Sequence, residues 1–144
     1  MNEYYDPTEI SRIAQMIVSD LATKEGATVI GLTGDLGAGK TTLTQEIARL
    51  MGISETVVSP TFVIAKFYDA NHPGFDMLAH MDAYRIESLD ELASLGFESL
   101  LARPKTVLVV EWPERIKDAL PHDIAQYHIS HEGAGRRITY EKNS

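Results

Sequence analysis

Four residues, Gly34, Gly39, Lys40 and Thr41, have the types and spacing of the phosphate-binding pattern G-x-x-x-x-G-K-[ST]. Glycines let consecutive backbone N–H groups turn inward around an anion, and the N-terminus of a following helix points further N–H groups at it. The lysine adds a positive charge for the β and γ phosphates, and the threonine hydroxyl is placed to bind Mg²⁺. This stretch predicts a Mg²⁺-nucleotide site with these contacts: Gly34, Asp35, Leu36, Gly37, Ala38, Gly39, Lys40, Thr41 and Thr42.

Two acidic residues, Glu111 and Asp82, are the candidates for a further metal ligand beside Thr41. Each ends a predicted strand, and the carboxyl ends of parallel strands meet at the edge of the sheet where ligands bind. We predict Glu111 as the direct Mg²⁺ ligand. Asp82 is predicted to act through a metal-bound water or to orient the attacking water, and the division of work between the two remains open.

A third segment, Ser59-Pro60-Thr61, is predicted to be a loop beside the nucleotide. A threonine near the γ phosphate can sense whether that phosphate is present, so Thr61 joins Lys40 and Asp82 as a predicted catalytic residue. A hydroxyl that only satisfies the local backbone is the simpler interpretation of Thr61. The roles of four nearby residues remain open: His80, Tyr84, Arg85 and Trp112.

The elements that position these residues follow from the hydrophobic pattern. A strand over 27–33 precedes the glycine-rich loop, and a helix with Leu43, Ile47, Leu50 and Met51 on one face follows it. The four consecutive apolar residues of 107–110 predict a strand over 106–111 that is buried on both faces, as in a parallel sheet. Around them we predict a helix from Asp6 to near Gly26, strands over 62–68 and 77–82 joined by a turn at 69–74, helices over 89–95 and 97–101, a short helix after Trp112, and strands over 124–130 and 136–141 joined at 133–135.

These elements predict an α/β fold for residues 1–144, a single P-loop NTPase domain. A mixed, mostly parallel central sheet would lie between helices. Composition is ordinary for a globular protein, with 44% hydrophobic and 24% charged residues. The chain has no cysteine, which excludes disulfides and thiolate metal sites. The lack of a long apolar run and the acidic N-terminus predict a cytoplasmic protein without a membrane segment.

The net charge of −8 argues against a protein that grips nucleic acid directly. Arg136 and Arg137 could together form one local basic patch. We interpret them instead as a solvated edge of a terminal strand, where charged residues discourage the stacking of sheets from different molecules.

Four motifs at these spacings resemble the bacterial TsaE (YjeE) family over nearly the whole chain. They are the loop of residues 34–42, Ser59-Pro-Thr-Phe62, His80-x-Asp82-x-Tyr84-Arg85 and Glu111-Trp-Pro-Glu114. The loop alone is shared by many nucleotide-binding proteins, whereas the other three are not a general ATPase pattern. Ala83 departs from the bulkier apolar residue that is usual in the family, and the chain beyond Leu120 carries little family signature.

Because the sequence offers no obvious arginine finger beyond Arg85, we predict that the isolated chain hydrolyses ATP slowly. The resemblance implies a single α/β domain that binds ATP or ADP with Mg²⁺ and hydrolyses ATP. It also implies partners, the TsaB and TsaD proteins, whose complex transfers a threonylcarbamoyl group to the adenosine next to the anticodon of tRNA. In family terms Lys40, Thr41 and Glu111 serve nucleotide and metal, Asp82 serves catalysis or metal water, and Thr61 lies in a switch loop. Contact with tRNA would be indirect.

Three other functions use the same loop. A small-molecule kinase needs an acceptor pocket and usually an arginine-rich lid, and the arginines of this chain are scattered without an obvious lid insertion. A GTPase switch needs the guanine-reading sequence Asn-Lys-x-Asp, which is absent. An ATP-sensing subunit would bind nucleotide without using its hydrolysis. The kinase is the main alternative.

Overall fold

A computed structural model describes residues 1–57 and 65–142 of the chain. The strands are β1 (Asn2–Tyr5), β2 (Thr28–Thr33), β3 (Ala65–His72), β4 (Phe75–Asp82), β5 (Thr106–Glu111), β6 (Ala125–Glu132) and β7 (Gly135–Lys142). The α-helices are α1 (Ile10–Ser19), α2 (Lys40–Leu50), α3 (Asp90–Ala93) and α4 (Phe97–Ala102), and 3₁₀ helices span Pro7–Glu9 and Pro113–Ala119.

The seven strands within the described residues form one sheet in the order β1-β7-β6-β2-β5-β4-β3. The four central strands, β6, β2, β5 and β4, are parallel to one another. The outer strands β3, β7 and β1 add to the two margins by antiparallel pairing. The predicted α/β fold with a mixed sheet is confirmed, and its parallel part is the centre that carries the functional candidates.

The two central strands β2 and β5 are buried along their whole length. Because alternate residues of a strand point to opposite faces, each strand contributes to two cores. On one face Ile30 and Val109 pack with Leu43 of α2 and Ile13 of α1. On the other face their neighbours pack with Leu92, Phe97 and Ile116. Helices therefore cover both faces, as a parallel sheet requires.

The register of the central strands brings several carboxyl ends to one edge of the sheet. Glu111 at the end of β5 is paired with Leu32 of β2 on one side and with Asp82 of β4 on the other. The chain leaves β2 one residue later and enters the glycine-rich loop, which we define as residues 34–39. The acids predicted for the metal site and the predicted phosphate-binding residues thus lie at the same edge.

The interpretation of Arg136 and Arg137 as a solvated edge was wrong. Strand β1, which we did not predict, pairs with β7 and places Tyr5 opposite Arg136 and Tyr4 opposite Arg137. Strand β7 is therefore covered on both sides. Four residues of β1 carry too short a pattern to distinguish a strand from an extended terminus, and their partner lies at the far end of the chain.

Several other predicted boundaries also differ from the structure, and the two largest differences lie at the end of α1 and at the turn after β3. Helix α1 ends at Ser19 and not near Gly26. Gly26 does not end the helix but lies against α4, where a side chain would collide with the carbonyl oxygen of Leu101. The predicted turn at 69–74 is shorter, since β3 continues to His72 with an irregularity in its pairing to β4. Polar composition marks a turn only loosely when the strand pair can extend through a bulge. Strand 106–111 was predicted with its observed limits.

Burial raises the pKa of Tyr127 on β6 to about 12, and the nearby Tyr140 and Asp20 add smaller effects in the same direction. An unfolded tyrosine has a pKa of about 10, so between these values the unfolded chain loses the proton first and folding becomes less favourable. We expect the free energy of unfolding to fall as the pH rises from about 10 to about 12. Tyr127→Phe should lose part of this decline and Tyr4→Phe, at an exposed position, should keep it in urea titrations. Equal declines in all three proteins would contradict the assignment.

Across residues 1–57 and 65–142, each helix is too short or too polar to cross a membrane.

Candidate functional site

The glycine-rich loop joins the end of β2 to the start of α2. Gly39 precedes the helix with a φ of 106°, a left-handed conformation that glycine adopts without strain. Gly34 at the other end of the loop has a φ of 143°, and a side chain there would collide with the carbonyl oxygen of Ile129 on β6. Within the described residues no side chain caps the N-terminus of α2. Its first N–H groups are therefore free to bind an anion.

The ammonium group of Lys40 lies folded back onto this loop. It donates hydrogen bonds to the carbonyl oxygens of Gly34 and Asp35, the latter at 3.1 Å. The nitrogen also lies 4.4 Å from the centre of the Trp112 ring, a cation–π contact. The side chain is buried, and that burial lowers the pKa of Lys40 although Glu111 and Asp82 among nearby acids oppose the shift. An anion that took the place of these carbonyl oxygens would bind the Lys40 ammonium, a positive charge that water solvates poorly.

The carboxylate of Glu111 makes the central contacts of the site. The hydroxyl of Thr41, in the first turn of α2, donates to Glu111 with 3.2 Å to Oε2 and 3.4 Å to Oε1. Glu111 Oε2 also lies 2.6 Å from Nε2 of His80. The carboxylate and Thr41 thus meet as the sequence predicted, and sequence reasoning had left His80 without a role.

Asp82 lies beside Glu111 on the neighbouring strand and is partly exposed. Its Oδ1 accepts a hydrogen bond of 3.0 Å from the backbone N–H of Tyr84, which fixes the chain as it leaves β4. Its carboxylate makes no hydrogen bond to Thr41 among the contacts of the described residues. This arrangement is consistent with Glu111 as the closer partner of the helix terminus, while the assignment of the direct ligand stays a prediction.

Trp112 forms an aromatic cover directly after Glu111. Its φ of 59° is left-handed, which is uncommon for a bulky residue and indicates local strain at the strand end. The Tyr84 ring packs against it with centroids 4.9 Å apart, and Arg115 lies 5.4 Å from the Tyr84 ring centre. Arg85 is exposed and forms no ion pair with any residue that the structure describes. The structure therefore brings Trp112 and Tyr84 to the site but not Arg85.

A cavity of about 260 Å³ connects these groups. Leu36, 70% exposed, stands at its rim. No group of three or more His, Cys, Asp or Glu side chains able to hold a metal by themselves occurs in residues 1–57 and 65–142. Mg²⁺ commonly takes one or two carboxylates and completes its shell with water and substrate phosphates, so Thr41 and Glu111 fit this ion in the presence of a nucleotide. The cavity is lined by Leu36, Gly37, Gly39, Lys40, Thr41, Thr42, Asp82, Glu111 and Trp112.

One contact to the loop was missed by sequence reasoning. Nε of Arg136 on β7 donates a 3.2 Å hydrogen bond to the carbonyl oxygen of Ala38. These residues are far apart in the chain, and only the strand order of the sheet brings them together. Thr61 lies outside the described residues, so its predicted role as a sensor stays a prediction.

Comparison with known proteins shows the family to which the chain belongs. The family model described as "Threonylcarbamoyl adenosine biosynthesis protein TsaE" matches residues 4–139. The chain belongs to the TsaE family. Curated TsaE relatives include one from Bacillus subtilis, 39% identical over 136 residues that cover 94% of this chain and 80% of the relative. A TsaE protein of Streptomyces coelicolor is 42% identical over 102 residues, covering 70% of this chain and 67% of the relative.

A solved structure has the same fold as this TsaE family member. The crystal structure of Bacillus subtilis YdiB superposes with a TM-score of 0.72 at 30% sequence identity. The match covers 100% of this chain and 86% of the solved chain. The family model and the curated relatives confirm the resemblance to the TsaE family, and the solved structure shows the same fold.

Proposed function

We propose that this chain binds Mg²⁺-ATP at the cavity between the glycine-rich loop, α2 and the end of β5, and hydrolyses it slowly. The contact of Thr41 with Glu111 next to Lys40 carries this proposal, since it joins a phosphate-binding helix terminus to a carboxylate. The names of its relatives, tRNA threonylcarbamoyladenosine biosynthesis proteins, point to the process served. The hydrolysis would support the transfer of threonylcarbamoyl to tRNA adenosine by the TsaB–TsaD complex.

Binding would use groups that the free chain already presents. The N–H groups of the loop and the first turn of α2 would take the phosphates, and Lys40 would exchange its carbonyl contacts for phosphate oxygens. Thr41 and Glu111 would hold Mg²⁺, which neutralises charge on the β and γ phosphates. Asp82 would accept a hydrogen bond from a metal-bound or attacking water.

Slow hydrolysis by the isolated chain follows from what the cavity lacks. No arginine lines it in the part of the chain that the structure describes, and Arg136 contacts the loop at Ala38. Phosphoryl transfer is accelerated strongly when a positive group stabilises the transition state. We therefore propose that the TsaB–TsaD complex changes the rate. The net charge of −8 favours a protein partner over direct binding of tRNA.

The test is phosphate release from ATP by the isolated chain, with and without the TsaB–TsaD complex. We expect slow release alone and a changed rate with the partners, and GTP at equal concentration should not displace ATP. A phosphorylated small-molecule product in place of free phosphate would favour the kinase alternative. Equal rates with and without the partners would refute the dependence on them.

Trp112 is the chain's only tryptophan, so its fluorescence reports directly on the site. If Lys40 leaves the Trp112 ring to bind phosphate, the emission intensity or maximum should change when Mg²⁺-ATP is added. Adenosine, which has no phosphate, should leave the emission unchanged at the same concentration. An unchanged spectrum at saturating nucleotide, shown by calorimetry to be bound, would contradict the proposed movement of Lys40.

Asp82→Asn separates the proposed roles of the two acids. If Asp82 acts through water, the variant should lose about 10- to 100-fold in hydrolysis while the Mg²⁺ concentration for half-maximal nucleotide binding changes little. Measuring both quantities on the same protein is decisive. A Mg²⁺ requirement that rises as far as that of Glu111→Gln would show that Asp82 is itself a ligand.

A further inference from the structure

The side chain of His80 is fully buried beside the carboxylate of Glu111. Its relative exposure is 0%, and that of Glu111 is 4%. His80 lies on β4, and the residue opposite it on β5 is Val109. Strand β5 ends two residues later, at Glu111. The distance of 2.6 Å between Nε2 and Glu111 Oε2 is that of a strong hydrogen bond. When Glu111 is ionised it can only accept, so Nε2 carries the hydrogen.

The two oxygens of Glu111 are held unequally. Hydroxyl-to-carboxylate hydrogen bonds usually span about 2.5–2.7 Å. The contacts from Thr41, at 3.2 Å and 3.4 Å, are longer than that. Oε2 is therefore fixed mainly by His80. Oε1 has only the 3.4 Å contact from Thr41 among the described residues and can take another partner.

The imidazole is poorly explained as a residue that only fills space. In the described part of the chain its Nδ1 is buried without a hydrogen-bond partner, although a buried polar atom normally has one. Its neighbours Leu78 and Val109 belong to an apolar core. An apolar side chain would meet the needs of packing without leaving Nδ1 unsatisfied. What the imidazole adds is the bond to Glu111.

We propose that His80 is a positioning residue that holds Glu111 through Oε2 and so keeps Oε1 available for a divalent cation beside Thr41. This rests on the proposed function, because it assumes that the cation binds at Thr41 and Glu111. Ligating carboxylates are themselves commonly oriented by a hydrogen bond from the layer behind them, and loss of that bond typically weakens metal binding by about 10- to 100-fold.

The test measures binding of the non-hydrolysable analogue AMP-PNP by calorimetry across a series of Mg²⁺ concentrations and in EDTA. His80→Leu should raise the half-saturating Mg²⁺ concentration by about ten-fold or more. Its affinity for the analogue in EDTA should stay within about two-fold of the unmodified protein, since the loop and Lys40 are untouched. Val109→Ala is the matched control, because it loosens the packing next to His80 without removing the hydrogen bond from His80 to Glu111.

Two polar variants keep the test decisive if His80→Leu folds poorly. The amide of His80→Gln reaches approximately as far as Nε2 and should restore most of the Mg²⁺ affinity. The shorter side chain of His80→Asn should not. Equal Mg²⁺ dependence in the unmodified protein, His80→Leu and His80→Asn would overturn the role of His80 alone. Absence of Mg²⁺-dependent binding in the unmodified protein would overturn the proposed function as well.

Discussion

Lys40→Ala is expected to lower ATP hydrolysis, with or without partners, by about 100- to 1000-fold, the usual effect of removing one preorganised charge-stabilising donor. Lys40 is buried, so water solvates its ammonium poorly, and this burial lowers the pKa of the group. Because a charge interacts more strongly in such an environment, its loss should affect both nucleotide affinity and the reaction. Phosphate release and calorimetry with AMP-PNP measure the two effects.

Lys24→Ala is the matched control for this substitution. It removes the same charge and side chain from the surface, where Lys24 lies 2.7 Å from Asp123. Surface ion pairs contribute little, about 0–1 kcal/mol, so this variant should keep its activity. Thermal unfolding of both variants separates a local effect from misfolding. Retention of nucleotide affinity and hydrolysis by a folded Lys40→Ala protein would contradict the assigned role.

Glu111→Gln is expected to be nearly as damaging, with about a 100-fold or greater loss of hydrolysis that excess Mg²⁺ partly restores. The amide has the shape of the carboxylate and can still accept from Thr41, but it lacks the charge that a Mg²⁺ ligand supplies. The half-saturating Mg²⁺ concentration should therefore rise. Titration of Mg²⁺ at fixed ATP, with phosphate release as the readout, checks the prediction.

Glu114→Gln provides the comparison for general electrostatics. Glu114 is exposed on the 3₁₀ helix after Trp112, and its charge acts on Lys40 without lining the cavity. It should alter the Mg²⁺ requirement by less than about two-fold, since exposed charges are screened by water and salt. Equal effects of the two substitutions would mean that net negative charge near Lys40 matters, and not a ligand at position 111.

The parts of the site that sequence could predict are those set by neighbours in the chain. Strand β2, the glycine-rich loop and α2 follow one another, and the loop's chemistry depends on backbone groups within a few residues. Strand β5 was recognisable because its continuous apolar run matches burial on both faces. Placing Glu111 at its end then brought the acid to the correct edge of the sheet.

The parts that sequence could not predict depend on pairing between distant strands. The contact of His80 with Glu111 needs the register of β4 against β5, and that of Arg136 with Ala38 needs the position of β7. Strand β1 is too short to be seen without its partner. No local pattern encodes these contacts, because each forms only when the sheet is complete.

We propose that ATP hydrolysis at this site supports threonylcarbamoyl transfer to tRNA. The most direct measurement is the number of modified adenosines formed per TsaB–TsaD complex, with ATP and the activated threonylcarbamoyl donor in excess. We predict that repeated modification requires this chain and stops when Lys40→Ala replaces it. Equal multiple turnover without the chain, or with the folded Lys40→Ala variant in its place, would refute this proposal.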